Sequence, residues 1–214
     1  GVSAGAASTD VDRAIAIGYE AMGADNATSA ADGTVAVGWR AGYSINSGIG
    51  NTAIGYQALD AEDDGYYSTA IGYQALSSQN GSAEVANTAI GYQAADHLTT
   101  GTRSVFIGAH AGTAITTGGY NVAIGYGAMR TPTGMTGNVA IGWNALTAMS
   151  GSGNKYNTAV GYGSGDSVTT ADSLTLIGAQ TGQAITTGND NTAVGYLALN
   201  QVETSGSNTA VGHF

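Results

Sequence analysis

One short pattern, an Ile or Val followed by Gly, recurs twelve times along this chain and constrains its fold more than any other feature. Successive glycines of the pattern follow one another at intervals of 20, 17, 17, 19, 17, 17, 17, 19, 17, 17 and 17 in the residue numbering. Self-similarity at a fixed short period is typical of repeat architectures, in which each unit stacks on its neighbours. The pairs are Ile17-Gly18, Val37-Gly38, Ile54-Gly55, Ile71-Gly72, Ile90-Gly91, Ile107-Gly108, Ile124-Gly125, Ile141-Gly142, Val160-Gly161, Ile177-Gly178, Val194-Gly195 and Val211-Gly212.

A longer period of seventy residues is superimposed on the first. The segments 34–59, 104–129 and 174–199 align at this spacing, so four basic units form one super-unit. The longer connections, 77–87 and 147–157, fall at equivalent places in it. We therefore predict a single repeat domain over residues 14–214, preceded by an N-terminal lead-in over residues 1–13.

The residues just before the repeated Gly predict a short strand. The third position before the Gly is always Val, Ile or Thr, and the residue directly before the Gly is always Ile or Val. Two β-branched residues two apart share one face of a strand, while the residue between them shares the other face with the Gly. That middle residue is Ala in ten of twelve copies, with Phe106 and Leu176 as the exceptions. We expect the β-branched face to point inward and the Ala/Gly face to allow close approach of another chain.

A unit of seventeen residues is too short for a strand and a helical crossover, which excludes βαβ units. A small position three residues after the Gly indicates a second short strand after a tight corner. The predicted fold is all-β, a parallel β-solenoid (β-roll) of about twelve 17-residue coils. Asn occupies the fourth position before the Gly in seven copies, and we expect its side chains to form an amide ladder that closes the corner.

Composition excludes several classes of protein. The chain has 5 Lys and Arg against 15 Asp and Glu, for a net charge of -10, which argues against nucleic acid and anionic membranes as partners. Gly is abundant, at 35 of 214 residues, but a single Pro and a 43% hydrophobic content exclude collagen and a disordered linker. Cysteine is absent, and no apolar run reaches eighteen residues, so we expect no disulfide framework and no membrane insertion.

The repeats resemble a known family. The stretches NTAIGYQAL, NVAIGYGAM and NTAVGYLAL are similar to the head repeats of trimeric autotransporter adhesins and to arrays in phage tail-fibre proteins. The resemblance covers roughly residues 14–214. It implies a left-handed parallel β-roll, three chains packed side by side as a homotrimer or larger fibre, and attachment to a host-surface glycan or protein. It further implies an extracellular location, on a virion or a bacterial cell surface.

Candidate recognition residues lie in loops. Asp60, Glu62, Asp63 and Asp64 form the densest acidic group, next to Tyr66 and Tyr67, and Lys155 and Tyr156 lie in an inserted connection. The residue after the repeated Gly is aromatic in nine of twelve copies, and we interpret this column mainly as ring packing between coils. His97, His110 and His213 stand in no metal-ligand spacing, and no phosphate loop, GxSxG or HExxH motif occurs. We expect no metal, no cofactor and no catalytic centre.

The sequence thus predicts a rigid structural and adhesive fibre segment. Two alternatives stay open. The first is a tailspike-type polysaccharide-degrading enzyme, in which different subunits contribute the two nearby carboxylates that glycoside hydrolysis needs, with Asp63 and Asp64 as the residues to replace in a test. The second is an ice-binding β-solenoid, against which stand the missing TxT pattern and the expected inward direction of the β-branched residues.

Overall fold

The computed structural model describes residues 3–5, 13–23 and 31–214, and the chain groups into two compact units, Gly1–Ser104 and Val105–Phe214. The predicted lead-in over residues 1–13 lies largely outside the described residues. Every regular element of the described residues is a short β-strand or a turn, with no α-helix. The fold is a parallel β-solenoid of about 11 turns, which confirms the fold class predicted from the repeat.

The first unit carries seven strands, five of which form one parallel sheet. Their order is β1-β2-β3-β5-β7, and each strand pairs residue for residue with the same positions of the next coil. β4 and β6 form a separate two-stranded parallel sheet. The strands are β1 Ile15–Ile17, β2 Val35–Val37, β3 Thr52–Ile54, β4 Gly65–Tyr66, β5 Thr69–Ile71, β6 Ala83–Glu84 and β7 Thr88–Ile90.

The second unit repeats this arrangement with nine strands. Its main parallel sheet has the order β8-β9-β11-β13-β14-β15-β16, and β10 pairs with β12 in a small parallel sheet. The strands are β8 Val105–Ile107, β9 Val122–Ile124, β10 Gly134–Thr136, β11 Val139–Ile141, β12 Ser152–Asn154, β13 Thr158–Val160, β14 Thr175–Ile177, β15 Thr192–Val194 and β16 Thr209–Val211. β4 with β6 and β10 with β12 fall at equivalent places of the 70-residue super-unit.

The direction of the two strand faces is the reverse of the prediction. In β5 the central Ala70 is fully buried, whereas Thr69 and Ile71 on either side are partly exposed. The same alternation holds along both main sheets, and Ile54, Ile90 and Ile177 are 36–41% exposed. The interior of a coil is narrow, so the central strand residue is Ala in most coils, and the bulky β-branched side chains point outward.

The sequence predicted a second strand on the other side of each coil, and this prediction is wrong. After the repeated Gly the backbone alternates through left-handed residues, for example Gln74 at φ 52° and Leu76 at φ 50°. Hydrogen bonds to neighbouring coils continue there, from the Gln74 amide to the Tyr56 carbonyl at 2.8 Å and from the Leu76 amide to the Ala94 carbonyl at 3.1 Å. Left-handed turns bend this side tightly enough to close a coil of seventeen residues.

The core exchanges volume between two positions six residues apart in one coil. Most coils combine a strand Ala with a large residue after the corner, as with Ala70 and Leu76, both fully buried. The coil of β8 reverses the sizes, since its strand residue is Phe106 and a Cβ on Gly112 would overlap the Phe106 ring. Leu176 behaves alike, because a Cβ on Gly182 would lie 2.8 Å from its side chain. The two exceptions to the strand Ala are therefore matched by glycines.

The repeated Gly is required both by its backbone conformation and by its neighbours. Gly55 has a φ of 136°, a region that residues with a side chain rarely adopt. A Cβ there would also overlap the carbonyl oxygen of Gly72 and lie 2.7 Å from its carbonyl carbon. The glycine column thus lets the backbones of successive coils approach closely at the corner.

The Asn column closes the opposite corner, mainly through the backbone. The Asn51 amide nitrogen donates to the Gly65 carbonyl at 2.7 Å, and its oxygen accepts from the Ser68 amide at 2.8 Å. Asn157 does the same with Ala171 and Leu174, at 2.9 Å each. The predicted amide-to-amide contact is present between Asn138 and Asn121 at 3.2 Å and between Asn208 and Asn191 at 2.9 Å. Each side chain joins one coil to the next because it meets both a donor and an acceptor there.

Candidate functional site

The outward face of the main sheet is a regular surface of each unit. It consists of two parallel columns, a Thr or Val column and an Ile or Val column, with one residue of each per coil. In the second unit the columns contain Thr175, Thr192 and Thr209 beside Ile177, Val194 and Val211. Neighbouring side chains of one column lie about 4.8 Å apart, the spacing of paired strands. The result is a flat face of β-branched side chains, mostly apolar.

A second regular feature is the aromatic column that follows the repeated Gly. In the first unit Trp39, Tyr56, Tyr73 and Tyr92 stack face to face with ring centroids 4.6, 5.0 and 5.2 Å apart and interplanar angles of 6–12°. In the second unit Trp143 and Tyr162 stack at 4.8 Å and 8°. These rings pack on one another as predicted, and their edges remain exposed to solvent.

A row of amides runs beside the rings of the first unit. The Gln74 amide donates to Gln57 at 3.0 Å, and the Gln93 amide donates to Gln74 at 3.1 Å. The Arg40 guanidinium lies 4.0 Å above the Tyr43 ring and 5.5 Å from the Trp39 ring. The stack thus has hydrogen-bonded amides on one side and a cation near its Trp39 end.

The acidic loop of the first unit is only partly a surface feature. Asp60 is paired with Arg40 at 3.1 Å, and burial raises the pKa of its carboxyl while Arg40 opposes that rise. Asp63 is exposed, Asp64 is half-buried, and the Asp63 carbonyl accepts the Asn46 amide at 3.0 Å. Arg40 therefore offsets the charge of the Asp60 carboxylate within this loop.

The two tyrosine sites predicted from the loops are built alike. Tyr67 has a left-handed backbone, is 57% exposed and lies against Gly50 of the preceding coil, since a Cβ on Gly50 would lie 3.0 Å from its ring. Tyr156 is 60% exposed and covers Gly137 in the same way. Tyr66 touches the Tyr67 ring edge-on at 6.1 Å. The Lys155 ammonium donates to the Thr170 carbonyl at 2.9 Å, so this hydrogen bond fixes the position of its charge.

Sequence reasoning placed Glu62 in a solvated loop, yet its side chain is fully buried. Its carboxylate accepts the Gly65 amide at 2.7 Å and the Gln79 amide at 2.6 Å, and Gln79 continues to Ser68 and Asn87. Burial raises the pKa of Glu62, and these hydrogen bonds oppose the rise. The signal in the sequence was its spacing of one repeat unit from Gln79, which puts both side chains in one column.

The described residues contain no group of three or more His, Asp and Glu side chains placed to hold a metal ion. Within the same residues no helix is long and apolar enough to cross a membrane. No family model, no curated protein and no solved structure matches this chain. The outward sheet face, the aromatic column and the loops are therefore the candidate functional features of the described residues.

Proposed function

We propose that this chain is a structural and adhesive segment of an extracellular fibre, in a phage tail fibre or a bacterial surface adhesin. The proposed assembly is a homotrimer, or a larger fibre built from it, of left-handed coils as in the adhesin heads that the repeats resemble. Loops such as those at Asp63, Tyr67 and Tyr156 are the proposed contacts to a host-surface glycan or protein. The supporting observation is the flat outward face of β-branched side chains.

The proposed trimer packs through this outward face, not through the Ala/Gly face considered from the sequence. The strand Ala side chains from Ala36 to Ala193 are fully buried inside their coils and leave no surface for a partner. The β-branched columns are partly exposed and repeat in every coil, so they offer one continuous apolar strip per unit. Covering such a strip removes apolar surface from water, which thin coils bury poorly on their own.

The test is the mass of the chain in solution at micromolar concentration, measured by light scattering. The wild type is expected at three times the chain mass of 21.1 kDa. The double variant Ile54→Asp with Ile177→Asp, one change on the outward face of each unit, is expected to be a folded monomer. Tyr156→Asp, at an exposed residue outside this face, serves as the control and keeps the trimer. A monomeric wild type would overturn the proposal.

A second candidate, ice binding, is now favoured by one observation. The Thr and Ile or Val columns point to solvent, which removes the objection that they face inward. Ice binding and trimer packing compete for the same face. Thermal hysteresis by the monomeric wild type, lost in Ile177→Asp, would establish this candidate and exclude the trimer.

No observation favours the enzymatic alternative. Glu62, the buried acid of the cluster, is held by backbone and amide donors, and Asp60 is paired with Arg40. Hydrolysis of a surface polysaccharide by the wild type, lost in Asp63→Ala or Asp64→Ala, is the result that would revive it.

A further inference from the structure

The aromatic column of the second unit has alanine in place of a ring at Ala109 and at Ala179, and only Ala179 has a tyrosine of this unit on both sides. The Gln180 amide donates to the Tyr162 carbonyl at 2.7 Å, and the Leu197 amide donates to the Ala179 carbonyl at 3.1 Å. These bonds place Tyr162, Ala179 and Tyr196 at the same position of three successive coils. Ala179 therefore stands where neighbouring coils have a ring, between two tyrosines. We call the space above Ala179 the Ala179 slot.

The dimensions of the slot follow from the coil spacing. Rings in adjacent coils stack with centroids 4.6–5.2 Å apart. Two coils advance about 9.6 Å, twice the spacing of paired strands, so Tyr162 and Tyr196 enclose the thickness of one further ring. Exposure agrees with this geometry: Tyr56 and Tyr73, with rings on both sides, are 41% and 42% exposed, whereas Tyr162 is 54% exposed.

The outer faces of the two tyrosines are supported. Trp143 stacks on Tyr162 at 4.8 Å, and His213 lies 5.2 Å from the Tyr196 ring at a tilt of 46°. Each wall of the slot is thus held from behind by another ring. A site whose walls are already ordered loses less conformational entropy when it binds a ligand.

Polar groups lie beside Gly163, which directly follows the wall residue Tyr162 in the chain. A Cβ on Gly163, the residue after Tyr162, would lie 3.7 Å from the Asp166 carboxylate and 3.9 Å from the Gln180 side chain. The Gln183 amide donates to the same carboxylate oxygen at 3.4 Å. The Asp166 carboxylate and the Gln183 amide bonded to it thus lie near Gly163, where the absence of a side chain leaves room.

We propose that the Ala179 slot binds one neutral hexopyranose of a surface glycan, which deepens and rests on the proposed adhesive function. A pyranose presents C–H groups on both faces, and these pack on the electron-rich faces of two aromatic rings. Its equatorial hydroxyls are donors and acceptors suited to the Asp166 carboxylate and the Gln183 amide. A purely aromatic occupant has no use for these polar groups, and the Asp166 carboxylate together with the net charge of -10 disfavours anionic sugars.

The experiment uses the full chain and five probes, the methyl glycosides of glucose, galactose, mannose, N-acetylglucosamine and glucuronic acid. Binding is measured by saturation-transfer NMR at millimolar glycoside. At least one neutral glycoside is expected to bind the wild type, and the glucuronide is expected to bind less well. No binding by any neutral glycoside, or preference for the glucuronide, would overturn the proposal.

Two variants test the location. Ala179→Tyr supplies the ring that neighbouring coils carry, so the fold is kept and binding is abolished. Tyr162→Ala removes one wall and lowers affinity by about tenfold, the loss expected for a stacking contact of this strength. Tyr120→Ala, an exposed tyrosine outside the column, is the control with unchanged affinity.

Wild-type affinity in Ala179→Tyr would refute the site even if Tyr162→Ala fails to fold. Light scattering on the same samples separates the two proposals. A trimeric wild type that binds no glycoside would refute the sugar site and leave the trimer intact. A monomeric wild type that binds glycoside in the slot would refute the trimer and leave the sugar site intact.

Discussion

Exchanging the sizes of Phe106 and Gly112 tests whether the coil interior is matched by volume. Phe106 is fully buried, and a Cβ on Gly112 would overlap its ring. Phe106→Ala removes that ring and is expected to cost about 3–5 kcal/mol of unfolding free energy. Gly112→Leu alone forces a side chain into the ring and is expected to cost about 1–3 kcal/mol, with about 1–2 kcal/mol more for its left-handed backbone.

The double variant restores the Ala and Leu arrangement that Ala70 and Leu76 form in another coil. Leu76 adopts a φ of 50°, close to the 64° of Gly112, so a Leu has a precedent in this conformation. If the two sites were independent, the double variant would lose about 5–10 kcal/mol. Volume matching instead predicts a loss of about 1–3.5 kcal/mol. Of this, up to about 1.5 kcal/mol is the cost of a swap that conserves core volume, and about 1–2 kcal/mol is the cost of the left-handed backbone at position 112.

The assay is urea unfolding of the four chains, followed by circular dichroism, with amide hydrogen exchange at Gly112 and its neighbours as a local readout. The hydrogen-exchange readout matters because stacked repeats need not unfold in one step. A double variant no more stable than Phe106→Ala would refute volume matching. A loss of less than about 1 kcal/mol of unfolding free energy in Phe106→Ala would also refute it, since removing a ring from a filled core costs more than that.

Two further predictions concern the glycine column and the buried acid. Gly161→Ala adds a Cβ that overlaps the Gly178 carbonyl, while the Cβ of Gly212→Ala meets no atom within 4 Å at a similar φ. Gly161→Ala is therefore expected to lower the unfolding free energy by at least about 3 kcal/mol more than Gly212→Ala, measured by thermal or urea unfolding. Equal losses would show that backbone conformation alone sets the requirement. Because burial raises the pKa of Glu62, its contribution to stability is full below the usual Glu pKa of about 4.3 and falls as pH rises through the raised value. The urea midpoint of the wild type relative to Glu62→Gln is therefore expected to drop as the pH rises above the usual Glu pKa of about 4.3. A pH-independent difference would contradict this.

The repeat alone determined the fold class because the glycine column imposes one register on every coil. Each repeated Ile or Val lies in a three-residue strand, as at Ile54, Ile71, Ile124 and Val194. The repeat spacing then dictates which positions pair, and the observed ladders join those same positions.

Face direction could not be read from the pattern, because alternation shows which residues share a face and not which face is inside. What decides it is the size of the enclosed space. That space depends on the left-handed backbone at residues such as Leu76, an unusual conformation for Leu that composition does not signal. The second predicted strand was wrong for the same reason.

Candidate site residues were located in loops, but their partners were not predictable. Asp60 meets Arg40, twenty residues away, and Glu62 meets Gln79, seventeen residues away. The spacing of one repeat unit predicts the contact between Glu62 and Gln79. The contact between Asp60 and Arg40 is not predictable in this way, because their side chains belong to neighbouring columns. The Ala179 slot, by contrast, is visible in the sequence as a gap in the aromatic column.

Strand pairing between consecutive coils has a consequence for how the chain is made. Within each unit every strand of the main sheet pairs only with the coils before and after it, so a coil needs no part of the chain beyond the next coil. Ribosomes add about 5–20 residues per second, so a coil of seventeen residues leaves the exit tunnel every one to three seconds, about a millionfold longer than a short β-structure needs to form. Each coil can then dock on a template already in place, and synthesis itself sets the order of folding.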